Sequence, residues 1–248
     1  MIDSTRTTQH RERYVPAWGP EQFIVPLLDG RIRELFSRYG GRPASAARAL
    51  DVGCGAQPFR SMIEAAGYSY ASVDVVQNAN GNVDFIGAID EPLPIALASE
   101  APYDFLLCTE VLEHVVDWPI AFANLTRLLT PDGRLLATCP HFYPLHEVPY
   151  DFWRPTPFAL RHFAAKNDLE VEVLEQGGGP WEVLGTLLGE AHAYPSTRRF
   201  SDRCLAWLGR QARRALLRVL QSGWLPSRVE LRGPYYLSNV AVFRKRVK

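Results

Sequence analysis

The sequence has no excess of charge of either sign, because 27 Lys and Arg residues balance 27 Asp and Glu residues in a chain of 248. A neutral balance creates no overall field that would attract a polyanion, so no DNA partner is expected. The chain also lacks a run of about 18 apolar residues, which argues against a membrane-spanning helix. The apolar core of a signal peptide is missing as well, and these absences together favour a cytoplasmic protein.

Cysteine is scarce and scattered. The four cysteines form no Cys-x-x-Cys pair, so we expect reduced thiols, most of them in the core. The apolar fraction of 47% and the charged fraction of 22% are ordinary for a soluble globular protein that buries a core.

Apolar runs of strand length alternate along the chain with segments of helical period. Strands are predicted over residues 46–50, 70–74, 83–86, 103–108, 134–139, 169–174 and 240–243. Helices are predicted over residues 21–39, 58–66, 119–129, 156–166 and 201–222. This alternation predicts an α/β fold with a doubly wound, mostly parallel sheet and an extra helical region before the last strand. Ligands of such sheets bind at the carboxyl ends of the strands.

The first predicted strand breaks into an Asp-x-Gly-x-Gly turn formed by Asp51, Gly53 and Gly55. Glycines there let a ligand approach the backbone amides at the start of the next helix. Asp74 ends the second strand 19 residues after Gly55, where nucleotide-binding units hold ribose hydroxyls. A dinucleotide fingerprint needs a third glycine, but Pro58 occupies that position. Asp51 suits a cationic ligand group better than a pyrophosphate.

This pattern resembles motif I of the class I S-adenosylmethionine-dependent methyltransferases, in their small-molecule branch. The resemblance extends over residues 47–176 and includes Gly87–Asp90, Tyr103–Val115 and Leu128–Leu135. It implies a Rossmann-like methyltransferase fold with S-adenosylmethionine as cofactor. The implied cofactor-binding residues are Asp51, Gly53, Gly55, Asp74, Val75, Ile89, Asp90, Thr109 and Glu110. In that family the acid before the glycines lies near the cofactor's ammonium group, Asp74 matches the ribose acid, and Asp90 matches the partner of the adenine amino group.

The segment after the fourth strand narrows the chemistry. Enzymes that methylate base amines typically carry an Asn/Asp-Pro-Pro-aromatic motif there, whereas this chain reads Cys108-Thr109-Glu110-Val111. Base N-methylation is therefore disfavoured. A hydroxyl acceptor needs a nucleophile held in line, about 3 Å from the methyl group, and a group that removes its proton.

Two segments offer that group. Glu110, Glu113 and His114 have the i, i+3, i+4 spacing that places side chains on one face of a helical turn. Residues 140–154 are rich in proline, aromatic and titratable side chains, and resemble a segment of glycan and natural-product methyltransferases. His146 is the first candidate for the proton acceptor, followed by His141 and Asp151. Asp151 is equally expected to pair with Arg154 in order to hold the loop.

A Glu-x-x-Glu-His turn followed by a later histidine also resembles small-RNA 2′-O-methyltransferases and ubiquinone-pathway O-methyltransferases. The corresponding residues Glu110, Glu113, His114 and His146 would bind a divalent cation. Many small-molecule methyltransferases carry the Glu-His pair without a metal, where it holds local structure, so both readings stay open.

The resemblance suggests one domain with four parts. These are an N-terminal lid and helix (1–40), a cofactor-binding core (41–176), a helical substrate-facing insertion (177–234) and a closing strand (235–248). Tyr14 and Trp18 are candidates for the lid. The predicted helix 201–222 carries five arginines between Arg203 and Arg218, and such a helix can lie on a membrane, hold an anionic substrate, or pack as a lid with a solvated face.

The expected activity is methyl transfer to a hydroxyl of a small molecule or sugar-containing metabolite. Three alternatives stay open: N-methylation of a small amine, metal-assisted 2′-O-methylation of RNA, and a binding protein that keeps the fold without catalysis. The sequence indicates no oligomeric state.

Overall fold

The computed structural model describes residues 13–16, 19–41 and 46–247, and it places seven strands in one sheet. The strands are β1 (Arg48–Val52), β2 (Ser69–Asp74), β3 (Phe85–Ile86), β4 (Tyr103–Thr109), β5 (Leu129–Pro140), β6 (Leu169–Gly177) and β7 (Ser238–Lys245). Their order is β3-β2-β1-β4-β5-β7-β6. Pairings from β3 to β5 are parallel, and β7 runs antiparallel to both β5 and β6. The predicted mostly parallel α/β sheet is confirmed.

The described residues also contain seven α-helices. They are α1 (Glu21–Tyr39), α2 (Arg60–Ala65), α3 (Ile95–Glu100), α4 (Trp118–Leu128), α5 (Pro157–Lys166), α6 (Pro180–Glu190) and α7 (Phe200–Gln221). A short 3-10 helix, Leu112–His114, follows β4. None of the helices in this described part combines the length and the apolar character that crossing a bilayer requires.

Helices α3 and α6 are absent from the sequence-based prediction. Helix α3 has six residues, which is too short for a helical period to stand out. Helix α6 contains Gly185, whose low helix propensity hides it, since glycine costs about 1 kcal/mol relative to alanine. A Cβ at Gly185 would lie 2.4 Å from Cζ of Phe23 on α1. The glycine therefore allows α6 to pack closely on α1, which is a tertiary reason that local sequence does not reveal.

One strand is shifted along the chain, and another is shorter than predicted. β1 begins at Arg48 because Ala46 has a φ of 70°, outside the strand region. β3 contains only Phe85 and Ile86, because the Asp84 carboxylate instead accepts hydrogen bonds from the amide of Ser72 at 2.9 Å and from its hydroxyl at 2.6 Å.

Both faces of the sheet are covered by helices. Along β4, Phe105 and Leu107 pack beneath α1, whereas Leu106 and Cys108 pack against α4 on the other face. All four side chains are buried, so this strand is apolar throughout rather than alternating. The polar residues that follow β1, β2 and β4 are thereby left at the carboxyl edge, where the parallel strands end together.

The segment 178–237, which contains α6 and α7, starts and ends at that same edge. It leaves the sheet after β6 and returns at the start of β7, where the Leu237 amide donates to the Gly177 carbonyl at 2.9 Å. The Leu237 carbonyl in turn accepts a hydrogen bond from the His141 amide at 2.7 Å. The helical segment is therefore attached beside the ends of β5 and β6.

Helix α3 provides a matched test of core packing. Leu97 is fully buried, whereas Ile95 on the same helix is 87% exposed. Leu97→Ala should lower the free energy of unfolding by about 2–5 kcal/mol, because it leaves a cavity. Ile95→Ala should change it by less than about 0.5 kcal/mol. Chemical denaturation measures both, and equal losses would contradict this assignment of the core.

Candidate active site

The Asp-x-Gly-x-Gly turn after β1 is held open by its neighbours. Gly53 and Gly55 have φ angles of 68° and 50°, which residues other than glycine rarely adopt. A Cβ at Gly53 would lie 2.2 Å from a methyl carbon of Val111, whereas nothing lies within 4 Å of the Cβ position at Gly55. The Gly55 amide donates to the Asp74 carboxylate at 2.9 Å. Asp74 thus orients the turn, and the space beside Gly55 is left for a ligand.

Asp51 is buried at the end of β1. In the described part of the chain, no basic side chain donates a hydrogen bond to it. Its carboxylate accepts a hydrogen bond from the Tyr70 hydroxyl at 2.9 Å. Burial, with a smaller contribution from the nearby charge of Asp74, raises the pKa of Asp51 to about 7 in spite of the Tyr70 hydrogen bond. A ligand cation placed here would stabilise the ionised carboxylate. The ammonium group expected from the sequence has the chemistry that this site favours.

Asp90 has a structural role besides the expected one. Its carboxylate accepts hydrogen bonds from the amides of Val116 at 2.9 Å and Asp117 at 3.2 Å, which joins the segment after β3 to the start of α4. Asp117 itself caps α4 by accepting from the Ile120 amide at 3.0 Å. Asp90 still lines the cleft beside buried Ile89.

One cleft at the carboxyl edge brings together all of the expected cofactor-binding residues. Its lining includes Asp51, Gly53, Gly55, Asp74, Val75, Ile89, Asp90, Thr109 and Glu110. Helix α1 adds Glu21, Ile24 and Val25, which sequence reasoning missed because nothing in α1 resembles a motif. Tyr14 also lines the cleft, with its ring 5.1 Å from that of Phe59, whereas Trp18 lies outside the described residues.

A second group of polar side chains lies beside this cleft, after β4. Glu110 has a φ of 52°, and its carboxylate accepts from the Ser238 hydroxyl at 3.2 Å. Burial raises the pKa of Glu110 to about 7, against hydrogen bonds from Thr138 and Ser238. Burial also raises the pKa of Glu113 well above its usual range, and the charge of Glu110 adds to this. A buried carboxyl group, Glu113, and a half-buried one, Glu110, therefore share one region.

Glu113, His114 and His146 converge. Oε1 of Glu113 lies 3.7 Å from Nε2 of His114 and 3.9 Å from Nε2 of His146. The ligand atoms of the three residues all lie within 4.8 Å of one another. Glu113 is fully buried, and neither carboxylate oxygen has a hydrogen-bond partner among the residues that the structure describes. The cluster has the donor types of a divalent-metal site.

An oxygen atom close to Nδ1 orients each of the two imidazoles. Nδ1 of His114 lies 2.7 Å from the Tyr150 carbonyl, and Nδ1 of His146 lies 3.3 Å from the Asp151 carboxylate. A proton on each Nδ1 would leave Nε2 as the lone-pair nitrogen facing Glu113. Burial lowers the pKa of His146, and the neighbouring His114 lowers it further, so its imidazole is neutral at neutral pH.

The other two candidate bases lie outside the cleft lining. His141 stacks on Tyr236 with ring centroids 4.2 Å apart, and its Nδ1 lies 3.0 Å from the Pro155 carbonyl. Asp151 accepts from both terminal nitrogens of Arg154, at 2.5 and 2.6 Å. Although burial opposes it, these hydrogen bonds and that of the His146 amide lower the pKa of Asp151. The pairing with Arg154 is confirmed, and Asp151 orients His146.

The methyltransferase domain family model matches residues 27–177, which span α1 through β6. The chain belongs to this family. It is a class I S-adenosylmethionine-dependent methyltransferase, as the sequence motifs predict, and S-adenosylmethionine is its cofactor. The open space at Gly55 and the desolvated Asp51 carboxylate fit the amino-acid end of that cofactor.

Curated relatives are ubiquinone biosynthesis O-methyltransferases. One from Xylella fastidiosa is 33% identical over 132 residues, which are 48% of this chain and 51% of the relative. The mitochondrial enzyme of Bos taurus is 26% identical over 138 residues, which are 50% of this chain and 37% of the relative. The matches thus span about half or less of these relatives' own length.

Solved structures share the fold at low sequence identity. A methyltransferase from Archaeoglobus fulgidus has a TM-score of 0.50 at 15% identity, covering 87% of this chain and 94% of that one. A phosphoethanolamine N-methyltransferase from Haemonchus contortus has a TM-score of 0.51 at 16% identity, covering 88% and 53%. The [4+2]-cyclase SpnF has a TM-score of 0.53 at 14% identity, covering 95% and 100%. Neighbours this distant establish the fold and not the reaction.

We expect Asp51 to make cofactor affinity depend on pH. The ligand ammonium group favours the ionised carboxylate, and the pKa of Asp51 is raised to about 7 without ligand. Affinity for S-adenosylhomocysteine should therefore be highest above pH 7 and fall by up to about tenfold per pH unit below it. Calorimetric titration at several pH values between about 5.5 and about 8.5 measures this change in affinity.

The variant Asp51→Asn should bind weakly and with little pH dependence, whereas Asp132→Asn, an exposed control outside the cleft lining, should follow the parent chain. Glu110 has a similarly raised pKa, so Glu110→Gln is the second comparison. A pH dependence that persists in Asp51→Asn and vanishes in Glu110→Gln would show that Asp51 is not its source.

Proposed function

We propose that this methyltransferase acts on a hydroxyl group of a small molecule or sugar-containing metabolite. The bound cofactor supplies an electrophilic methyl group on a sulfonium. The protein must then hold the acceptor oxygen in line, exclude water and accept a proton. The curated relatives, named as O-methyltransferases, support a hydroxyl acceptor.

The observation that carries the proposal is the convergence of Glu113, His114 and His146 beside the cofactor cleft. Both histidines line the cleft, while Glu113 lies behind them. An amine acceptor that is already neutral needs no strong base. A cluster with two oriented imidazoles, of which that of His146 has a lowered pKa, is better matched to a hydroxyl, whose proton must be removed.

His146 is the proposed proton acceptor. Its backbone amide donates to Asp151 at 2.9 Å, and Asp151 is in turn held by Arg154, so the loop places the imidazole at a fixed position. Its lowered pKa keeps Nε2 available as a base at neutral pH. In this arrangement Asp151 acts as a positioning residue, and His141 serves to pack the loop against Tyr236.

The same cluster fits a divalent cation. The carboxyl groups of buried Glu113 and half-buried Glu110 repel each other when ionised, and a cation between them would remove that cost. Glu113, His114 and His146 supply ligand atoms, with Glu110 beside them. A divalent cation would supply Lewis acidity, which lowers the pKa of an acceptor hydroxyl. In that case His146 serves as a ligand rather than as the base.

The alternatives predict different behaviour. N-methylation of a small amine would tolerate loss of His146, and a binding protein would retain cofactor affinity without turnover. SpnF, a cyclase with the same fold, illustrates that the fold alone does not determine the reaction. RNA 2′-O-methylation would require a basic surface, which the neutral balance of charge does not favour.

Replacing His146 tests the hydroxyl proposal. His146→Ala should lower turnover by about a hundredfold or more, the typical contribution of a general base. Cofactor affinity should stay within about threefold, because the cofactor contacts lie elsewhere in the cleft. Turnover is measured with labelled cofactor against a panel of phenols, sugars and amines. His162→Ala, an exposed histidine on α5, is the control. Undiminished turnover in His146→Ala would leave amine methylation as the better account.

Removal of metal tests whether the cluster of Glu113, His114 and His146 holds a divalent cation. If the cluster holds a cation, dialysis against a chelator should abolish turnover, and magnesium, manganese or zinc should restore it. Glu113→Gln should weaken cation binding by about tenfold or more, since it removes a charged ligand. The exposed Glu91→Gln is its matched control. Full activity in chelator, together with the loss of activity in His146→Ala, would assign His146 as the base and discard the cation.

A further inference from the structure

Helix α7 packs on the rest of the molecule through one side. Ala206 and Leu220 on that side are buried. The Arg210 guanidinium donates to the Ala193 carbonyl at 2.8 Å, and the Arg213 guanidinium donates to carbonyls at the end of α6. These two arginines of the helix are therefore used internally, and they define which side faces the protein.

The opposite side of α7 is apolar and faces outward. At about 100° per residue, it carries Leu205, Leu208, Ala212, Ala215 and Val219. Leu205 is 67% exposed and Leu208 is 55% exposed. A helix that served only as a packed lid would bury its apolar side. The exposed apolar side of α7 therefore needs a different explanation.

The remaining arginines lie along one flank of that apolar side. Arg203, Arg214 and Arg218 are exposed and fall within about 60° of one another around the helix axis. No ion pair joins them to a carboxylate in the described part of the chain. Asp202, the single acidic residue of α7, accepts hydrogen bonds from hydroxyl groups, including that of Ser196 at 3.2 Å. The flank is thus an uncompensated row of positive charge.

Aromatic side chains surround the same helix. Phe200 and Trp207 on α7 are 81% and 54% exposed, and Tyr194 and Trp224 on either side of α7 are 80% and 58% exposed. Apolar side chains in the middle, arginines on a flank and aromatic rings beside them are the features of a helix that lies in a membrane interface.

We propose that α7 docks this methyltransferase on an anionic phospholipid bilayer. Leu205 and Leu208 enter the boundary between headgroups and acyl chains, and the flank of Arg203, Arg214 and Arg218 contacts lipid phosphates. The segment 178–237 joins the sheet at the edge where the cofactor cleft lies, so docking holds that edge near the lipid surface. The proposal is independent of the acceptor and of the metal.

Charge favours a bilayer over the other occupants. A second copy docked symmetrically through α7 would add a second positive flank but no matching acid, because Asp202 is the single acidic residue of this helix. A soluble anionic substrate would use the arginines but would leave Leu205 and Leu208 in water. An anionic lipid surface complements both the positive flank and the apolar side.

Co-sedimentation of the full chain with lipid vesicles tests the proposal. Binding should be strong to vesicles of phosphatidylcholine mixed with phosphatidylglycerol, much weaker to phosphatidylcholine alone, and weakened by added salt. The triple variant Arg203→Gln, Arg214→Gln, Arg218→Gln should bind about a hundredfold more weakly, since each basic residue near an anionic surface contributes about a factor of five. The double variant Leu205→Gln, Leu208→Gln should lose about tenfold or more.

The matched control replaces three exposed cations on α4 and α5, namely Arg127→Gln, Arg161→Gln and Lys166→Gln, and should bind like the parent chain. Cofactor affinity and circular dichroism should be unchanged in every variant, because the altered side chains are exposed and outside the cleft. Equal binding to both kinds of vesicle, or equal losses in the α7 and control variants, would overturn the proposal. So would a parent chain that does not bind vesicles but is dimeric and becomes monomeric in Leu205→Gln, Leu208→Gln.

Discussion

The hydrogen bond between the Gly55 amide and the Asp74 carboxylate joins the turn after β1 to the end of β2, and the cofactor cleft depends on it. It orients the turn without occupying the space beside Gly55. It also places a negative charge near buried Asp51, whose pKa is raised to about 7. The first two strand ends therefore form a desolvated negative region that a positively charged ligand group stabilises.

The same principle recurs after β4. Glu113 is buried beside half-buried Glu110, and desolvation raises the pKa of both carboxyl groups, while the charge of Glu110 raises that of Glu113 further. The two negative regions border one cleft, since parallel strands end at the same edge. A cofactor with an ammonium and a sulfonium group is complementary to such a cleft.

Local patterns predict the sheet and several residues that line the cleft at its carboxyl edge, because a strand, a glycine turn and a terminal acid are contiguous in sequence. Asp51, Gly55 and Asp74 are examples. Side chains that act across the fold had no such signal: Tyr70 contacts Asp51 only because β1 and β2 are neighbours. Likewise α6 went unpredicted because Gly185 is explained by its contact with Phe23. The approach of His146 to Glu113 followed from family resemblance and not from spacing.

The matched family region ends at residue 177, where β6 ends, and the helical segment begins directly after it. An insertion at this position can change without disturbing the sheet, because both of its ends are held at the carboxyl edge by backbone hydrogen bonds. Its outer surface is therefore available to adapt the shared methyltransferase core to a particular setting. The exposed apolar side of α7 has no role in the stability of the core, since the helix is packed through its other side. A feature that costs solubility and adds nothing to packing is best explained by an external contact.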